Sequence, residues 1–478
     1  MSAPPRTRSV FASTQKTPSP FALTAALVVA VTTYQLATTM VAPTLPVITK
    51  DLSLSPATTG LTQALFFLVA ALIEVVVPIS DRYGRRAMLV VCLALTALGH
   101  VLAATAASEQ MFLAGRVMQG LSGVAFPLAF VTLHKNLSPI QFGRSVGIIA
   151  AVNLGITGVD TLAGSYLAES LGFRSIFWCM AAISVTALVL VHRIVPKDDA
   201  KSTMSIDWAG IVVLCLGIGA LLFGLSQGGT LGWTSPTVLI TGIGGIVAIG
   251  LFPLVEYRSR LPLVQTALLR SRDVWPLLVV VLLSMGGMFT TYSYLLPLIA
   301  QDHSSGYGLS PVTATLRFIV PAAAAAFICA PIAGRLAPRL GWRRITVSTL
   351  AVSAACMVVI AFFPQNQMLV AILVPVIGFC YFGATETAMN GLGVLLSPKN
   401  SPSFLPGIAG CCFALGVSVG TAAATAALSH NSTPTDGIGN GYLLALAAMA
   451  AMAVAAAAVS FLIPRPAASG VAATADHQ

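Results

Sequence analysis

Long apolar runs recur along this chain from residue 21 to residue 463. A helix needs about 20 predominantly apolar residues to cross a bilayer. Fourteen runs meet this need, with approximate limits 21–48, 57–79, 87–107, 111–133, 144–168, 175–194, 207–226, 236–254, 274–300, 311–337, 345–363, 368–396, 404–428 and 439–463. The sequence therefore predicts an all-α polytopic membrane protein with 14 transmembrane helices.

The composition excludes a water-soluble protein. Charged residues make up 8% of the chain and hydrophobic residues 56%, whereas a soluble domain carries about 25% charged residues. So few charges cannot cover a soluble core. A cytoplasmic enzyme, a nucleic-acid-binding protein and a disordered scaffold are excluded, and the net charge of +10 indicates contact with anionic membrane lipids.

The distribution of Lys and Arg predicts the orientation in the membrane. With the N-terminus in the cytoplasm, 21 of the 25 Lys and Arg fall in cytoplasmic segments, as the positive-inside rule requires. Both termini are therefore predicted to be cytoplasmic, with a flexible N-terminal tail at residues 1–20 and a C-terminal tail at residues 464–478. The first apolar run is too long for a signal peptide and should remain as a span. The high Ala content and Arg-to-Lys ratio indicate a bacterium, so we expect the inner membrane.

A basic motif occurs twice, at equivalent places in two blocks of six spans. The first copy is Asp81–Arg86 (DRYGRR), after the second span, and the other is Gly334–Arg344 (GRLAPRLGWRR), after the tenth. In the first copy, Gly84 permits a tight turn between antiparallel helices, and Asp81 can cap a helix or pair with a basic neighbour. The residues expected to form gating loops are Asp81, Arg82, Gly84, Arg85, Arg86, Gly334, Arg335, Gly341, Arg343 and Arg344.

The repeat predicts a six-plus-two-plus-six organisation. An N-terminal six-helix bundle covers 21–194, a linker with two inserted transmembrane helices covers 195–273, and a C-terminal six-helix bundle covers 274–463. Two repeated bundles around a midplane site are typical of transporters.

Three motifs carry a resemblance to a known family. The DRYGRR loop resembles the loop signature of the major facilitator superfamily, and Arg116–Gly123 (RVMQGLSG) resembles its fourth-span motif. Gly172–Trp178 (GFRSIFW) resembles the entry to the sixth span of its drug exporters. With fourteen predicted spans, the chain is similar to the fourteen-span drug:proton antiporter group. It departs from that group's fifth-span motif, where Val159 and Asp160 replace a Gly-Pro pair.

The resemblance implies the major facilitator fold and a secondary active transporter. Such a protein would export a small, largely apolar organic compound (a drug, dye or antibiotic-like metabolite) in exchange for protons by alternating access. Efflux of this kind confers multidrug or antibiotic resistance. The alternative is a proton-coupled importer of a small organic nutrient on the same fold, because fold alone does not set direction.

Three acids, Glu74, Asp160 and Glu386, lie well inside predicted spans. An acid at mid-bilayer costs about 2.5–3.5 kcal/mol, so it normally faces a cavity or a partner. These acids and Arg116, whose role in proton transfer the resemblance implies, are the candidates for proton coupling. The alternatives are a fixed Asp160–Arg116 pair, an interhelical hydrogen bond of Glu386, and an ion pair of Glu74 with loop arginines.

Aromatic, Met and polar side chains of the spans around the predicted cavity are candidates for substrate contact. Aromatic and Met side chains provide adaptable apolar contact, although many aromatic residues of a span pack within the protein or face lipid. The candidates are Tyr34, Gln35, Thr38, Gln119, Asn153, Thr157, Met288, Phe289, Tyr292, Tyr294 and Asn390.

Other classes of site find no support in the sequence. No Lys follows a Gly, which excludes a phosphate-binding P-loop, and the His residues form no metal-ligand cluster. Two Gly-x-Ser-x-Gly matches, at 224–228 and 416–420, fit close helix packing better than a hydrolase. We expect no enzyme activity, cofactor, metal, ATP or nucleic acid. The expected partners are a small-molecule substrate, protons and lipids, and the protein should function as a monomer.

Overall fold

The computed structural model describes residues 18–41, 44–54, 56–197, 208–258, 271–272, 274–304, 306–398, 401–430 and 439–464. The predicted tails lie almost entirely outside these residues. The described part of the chain is helical and contains no strand. Ten of its helices are long and apolar enough to cross a membrane, and Leu65–Val75, Gly210–Leu225 and Pro236–Phe252 are shorter apolar helices. The prediction of an all-α membrane protein is confirmed, whereas fourteen spans stay a prediction.

The main helices are named α1 to α14 in chain order. Their bounds are α1 Pro20–Thr39, α2 Pro56–Val75, α3 Arg85–Ala104, α4 Glu109–Asn136, α5 Pro139–Leu171, α6 Phe173–Ile194, α7 Trp208–Leu231, α8 Pro236–Arg258, α9 Trp275–Gln301, α10 Val312–Leu340, α11 Trp342–Phe362, α12 Gln367–Leu395, α13 Phe404–His430 and α14 Asn440–Ser460. We refer to α1–α6 as the N-half and to α9–α14 as the C-half.

Two helix bounds differ from the sequence prediction for local reasons. α1 ends at Thr39, and the predicted run to residue 48 continues instead as a separate short helix, Leu45–Asp51, with a proline in its first turn. Proline is tolerated at such a position because its missing N–H has no partner in the helix. α5 begins five residues earlier than predicted, because Ser138 and Gln141 form a capping box that satisfies free backbone N–H groups.

The two copies of the basic motif form the same turn. Gly84 has φ +99° and Gly341 has φ +94°, a region that L side chains rarely adopt. Each glycine ends one helix and begins the next, α3 and α11 respectively. The predicted tight turn at Gly84 is confirmed. We call the end of the bundle that carries residues 80–86 and 334–344 the basic end.

α5 of the N-half and α10 of the C-half pack closely towards the basic end. A Cβ atom at Gly147 would lie 2.5 Å from the carbonyl oxygen of Ala330, and one at Gly143 would overlap the carbonyl oxygen of Gly334. Glycines therefore let the two backbones touch, as small residues do where membrane helices associate. The cleft between the halves is closed at this end.

The inserted pair, α7 and α8, packs as a hairpin beside both halves. Gly224 of α7 meets the backbone of Gly242 of α8. The Cys215 thiol of α7 lies 4.0 Å from the carbonyl oxygen of Leu72 in α2, and α7 also contacts α13. The pair therefore covers the line along which α2 of the N-half meets α13 of the C-half.

Candidate transport site between the two halves

A carboxylate of the first basic motif bridges the halves. Asp81 pairs with Arg85 at 2.9 Å, one helical turn away. The same carboxylate accepts hydrogen bonds from the Ser403 hydroxyl at 2.8 Å and the Ser403 backbone N–H at 3.2 Å. Ser401 adds a hydroxyl at 3.3 Å. Of the two interactions considered for Asp81, the pairing with a basic neighbour is therefore confirmed.

The second copy makes an apolar contact at the corresponding place. Pro338 stands where the family pattern has an acid, and it lies against Gly143 at the start of α5. Next to this contact, the rings of Phe142 and Trp342 lie 5.9 Å apart. The basic end is therefore closed by hydrogen bonds at one copy and by packing at the other.

The arginines of both motifs fall into two groups. Arg86 donates to the carbonyl oxygen of His192, and Arg343 donates to that of Phe461 at 2.7 Å. These two bonds attach the turns to the ends of α6 and α14. The exposed arginines of the two motifs are Arg82, Arg335, Arg339 and Arg344.

Arg116 lies at the centre of the N-half and is fully buried. Its guanidinium donates to the backbone carbonyl oxygens of Thr62 and Ala37, each at 3.2 Å. It also donates to the Gln119 side chain at 2.7 Å and lies 4.6 Å from the centre of the Phe66 ring. These contacts tie α1, α2 and α4 together.

Gln119, which the sequence places among the candidates for substrate contact, lies in the core of the N-half. Its amide is fully buried, where it accepts from Arg116 and donates to the carbonyl oxygen of Gly99 at 3.2 Å. Its contact with substrate stays a prediction. Gln35 is likewise buried on α1.

Asp160 is buried where α5 packs against α1. Its carboxylate accepts a hydrogen bond from the Thr39 hydroxyl at 2.5 Å, and Gly164 one turn further packs against Met40. Asp160 and Gly164 therefore face the C-terminal end of α1. Asn153 is half-buried on the same helix, and the side chain of Thr157 lies outside the described residues.

Glu386 of the C-half follows an irregular part of α12. Residues Gly378–Thr385 form a π-helical segment, a distortion that is frequent at functional sites. The Thr385 hydroxyl is 2.7 Å from that of Thr349, whereas the half-buried Glu386 carboxyl makes no hydrogen bond among the described residues. Asn390, one turn further, is also half-buried.

Glu74 lies on α2 where the N-half meets α13 of the C-half. Its Oε2 atom is fully buried and has no hydrogen-bond partner in the part of the chain that is described. The ion pair with loop arginines considered for Glu74 is not formed by Arg85, whose guanidinium pairs with Asp81. The carboxyl instead lies against Gly410 of α13.

Aromatic rings form one group in each half. In the N-half, Tyr34 stacks on Phe66 with ring centres 5.5 Å apart and meets Phe126 edge-on at 5.8 Å. In the C-half, Phe289 meets Phe413 at 5.3 Å. Tyr34, Phe126, Phe289 and Phe413 are all half-buried and pack against the hydrophobic core.

The other predicted contacts have structural roles in these groups. Thr38 donates to the backbone of Tyr34 at 2.9 Å. The Tyr292 hydroxyl donates to the carbonyl oxygen of Ile319 at 3.3 Å, and that of Tyr294 is 3.2 Å from Thr425.

Met288 is buried. With Tyr292 it lines a cavity of about 20 Å³ inside the C-half, which is room for about one water molecule.

Sequence analysis missed several residues of this region. Phe126 and Phe413 are single aromatic residues in apolar runs, with no signal to separate them from core residues. The glycines at 407 and 410 offered a signal, because small residues at short spacing mark close helix contacts. No group of His, Cys, Asp or Glu able to hold a metal occurs among the described residues.

Comparisons with known proteins agree with this architecture. Residues 27–421 match the family model described as Major Facilitator Superfamily. A uridine/deoxyuridine transporter of Lactococcus lactis subsp. cremoris is 33% identical over 454 residues, which cover 93% of this chain and 94% of that protein. The multidrug transporter mfsC of Aspergillus fumigatus is 28% identical over 306 residues, which cover 63% of this chain and 57% of that relative.

A solved structure supports the fold independently. The crystal structure of the human organic anion transporter MFSD10 matches with a TM-score of 0.68 and 13% identity, covering 93% of this chain and 100% of that one. The likeness at this identity concerns the fold alone. Since the family model spans most of the chain, the protein belongs to the major facilitator superfamily and is a membrane transporter, not an enzyme.

Proposed function

We propose that this protein transports pyrimidine nucleosides into the cell together with protons, by alternating access. The observation that carries the proposal is that each half contributes half-buried aromatic rings, and that the Glu74 carboxyl of the N-half lies against α13 of the C-half, which carries Phe413. Aromatic rings stack on nucleobases, and a carboxylate accepts hydrogen bonds from hydroxyl and N–H groups. The extensive match to a uridine/deoxyuridine transporter supports this substrate class.

The proposed arrangement in the membrane has fourteen spans, organised as 21–194, 195–273 and 274–463, with both termini in the cytoplasm. The arginines of the basic end support this orientation, because basic loops remain in the cytoplasm. The structure is then closed towards the cytoplasm, and its cleft opens to the outside of a bacterial inner membrane. Rocking of the N-half against the C-half would expose the site to the other side.

Asp160 and Glu386 are the proposed proton carriers, and Arg116 supports the N-half around the first of them. Intramembrane carboxyl groups serve as proton relays in pumps and transporters. Binding of a proton removes the negative charge and lowers the cost of burying the group when the cleft closes around it. An inward proton gradient would then drive uptake of the nucleoside.

Export of a drug-like compound in exchange for protons is the second candidate. The ring-rich walls of the cleft favour it, because aromatic surfaces accept many apolar molecules. The match to a multidrug transporter also supports export. That match covers 63% of this chain, whereas the match to the uridine/deoxyuridine transporter covers 93%. The two candidates share the fold and differ in substrate and direction.

The test uses a bacterial host that lacks its own nucleoside transporters and multidrug pumps. Uptake of radiolabelled uridine and deoxyuridine is followed with and without a protonophore, together with loss of preloaded dyes. The variants are Asp160→Asn and Glu386→Gln, with Asp51→Asn as an exposed control. Protonophore-sensitive uptake that an intramembrane variant abolishes supports the proposal. Dye loss without nucleoside uptake supports export, and absence of both contradicts both candidates.

A further inference from the structure

The carboxyl group of Glu74 contains an acceptor that no protein group satisfies. Its Oε2 atom is fully buried without a hydrogen-bond partner among the described residues. A buried polar group without a partner destabilises the protein, because it has lost its hydrogen bonds to water, and a charged group does so more strongly. A bound molecule that brings a donor to this oxygen would remove this destabilisation.

Helix α13 is shaped to receive this carboxyl. A Cβ atom at Gly410 would overlap the Glu74 carboxyl group, and one at Gly407 would lie 2.5 Å from the Glu74 backbone oxygen. Two glycines on one face of α13 therefore make room for the side chain. They bring no donor, because backbone N–H groups inside a helix already bond to carbonyl oxygens four residues earlier.

The groups around Glu74 bring no positive charge to its carboxyl in the described part of the chain. Tyr34 of α1 and the thiols of Cys411 and Cys412 of α13 are within its electrostatic range. The Cys411 thiol donates elsewhere, to the carbonyl oxygen of Ala71 at 3.4 Å. No basic side chain in the described part of the chain pairs with the carboxyl.

Aromatic surfaces from both halves flank the same place. Tyr34 is half-buried in the N-half. Phe413 follows Gly410 by three residues on α13, so the two lie on the same helix face. Glu74 is seven residues before Asp81, or about 10 Å along a helix axis, which places it just inside the closed basic end.

We propose that Glu74 binds the transported nucleoside: its carboxylate accepts a hydrogen bond from the solute, whose base lies against Tyr34 and Phe413. This inference rests on the proposed function. It implies that Glu74 selects solutes that place a hydrogen-bond donor next to its carboxylate. Uridine offers two kinds of donor with the required chemistry, the sugar hydroxyls and the ring N–H.

Ligand binding to the purified full-length protein tests this role. Dissociation constants are measured for uridine, for 2′,3′-dideoxyuridine and 5′-deoxyuridine, which lack sugar hydroxyls, and for 3-methyluridine, which lacks the ring N–H. Glu74→Gln should weaken uridine binding about 10- to 100-fold, the usual worth of a hydrogen bond to a charged group. Asp51→Asn, at an exposed carboxyl, should leave binding unchanged.

The analogues identify the donor. The analogue that lacks it should bind the wild type about as weakly as uridine binds Glu74→Gln, and the variant should not weaken that analogue further. Unchanged uridine affinity in Glu74→Gln overturns the inference and leaves the proposed function intact. An equal loss for uridine and for every analogue also overturns it, because the effect would then be indirect.

A second measurement covers the case in which the wild type binds no nucleoside, which would contradict the proposed function. The Glu74→Cys variant and the wild type are each treated with a membrane-impermeant thiosulfonate. Labelling of the introduced cysteine is the amount of label in the variant minus the amount in the wild type. Labelling that a transported dye slows supports a solute-binding role for this position. Absence of extra label, or label that no transported solute slows, overturns it.

Discussion

Asp81 and Ser403 join the two halves of the transporter at the basic end. The Ser403 backbone N–H donates to Asp81 Oδ2 at 3.2 Å, and its hydroxyl donates to Oδ1 at 2.8 Å. Ser403 immediately precedes α13, so the carboxylate also meets the positive end of that helix dipole. At the first copy of the motif, a single charged side chain therefore accepts several hydrogen bonds from the opposite half.

Asp81→Asn should open the basic end more often. The substitution replaces hydrogen bonds to a charged group with weaker neutral ones, and each charged bond is worth about 1.5–3 kcal/mol. Spin labels at the exposed positions Arg82 and Arg335 report the distance between the halves. We expect a larger fraction of Asp81→Asn molecules than of wild-type molecules to show a long distance between the two labels. We also expect slower transport by the variant.

Arg344→Gln serves as the control for Asp81→Asn, because this exposed arginine belongs to the same region. It should leave the distance distribution unchanged. Identical distributions in Asp81→Asn and the wild type would contradict the role of the carboxylate.

Gly147→Ala should hinder closure by a different route. The added methyl group would lie 2.5 Å from the carbonyl oxygen of Ala330, and overpacking of this kind costs about 1–3 kcal/mol. The same spin-label pair should show longer distances between the halves. Gly250→Ala is the matched control, because no atom lies within 4 Å of its added Cβ. An equal response of the two variants would exclude the steric explanation.

Sequence reasoning predicted the features that depend on local chemistry. Apolar runs predicted the helices, and the need for positive φ at Gly84 follows from a tight turn between adjacent helices. Intramembrane acids were also visible, because a charge in an apolar run is conspicuous. Each of these signals lies within a few residues of the feature it predicts.

Contacts between distant helices could not be predicted in the same way. Asp81 was expected to cap a helix, but nothing in its neighbourhood identifies Ser403, 322 residues away, as the partner. Likewise, the sequence does not show that the Gln119 amide accepts a hydrogen bond from Arg116 in the core of the N-half. A polar residue in a span can face the cavity or lie in the core, and the packing of the neighbouring helices determines which position it has.

Arg116→Lys should destabilise the N-half. The guanidinium donates to Thr62, Ala37 and Gln119, and a lysine cannot reproduce this planar fork. Loss of two such bonds should lower the free energy of unfolding by about 3–6 kcal/mol. Thermal unfolding in detergent measures the loss. Transport is also measured per folded molecule at low temperature. If Arg116 only supports the fold, the variant should transport at the wild-type rate, whereas a role of Arg116 in proton transfer should lower that rate.

Gly410→Ala tests the fit between α13 and the Glu74 carboxyl. The added methyl group overlaps that carboxyl, so either the helix or the side chain must move, at a cost of about 1–3 kcal/mol. We expect lower thermal stability and weaker uridine binding. In a Glu74→Ala background there is no carboxyl for the added methyl group to overlap. The stability loss from Gly410→Ala should therefore largely disappear, because the stability effects of mutations at two residues in contact do not simply add.

Gly393→Ala provides the comparison within the C-half. No atom lies within 4 Å of a Cβ at this position, and alanine is favoured over glycine in a helix by about 1 kcal/mol. This variant should be as stable as the wild type or more stable, in either background. If Gly410→Ala behaves like Gly393→Ala, the carboxyl does not lie against α13, and the binding role inferred for Glu74 loses its structural basis.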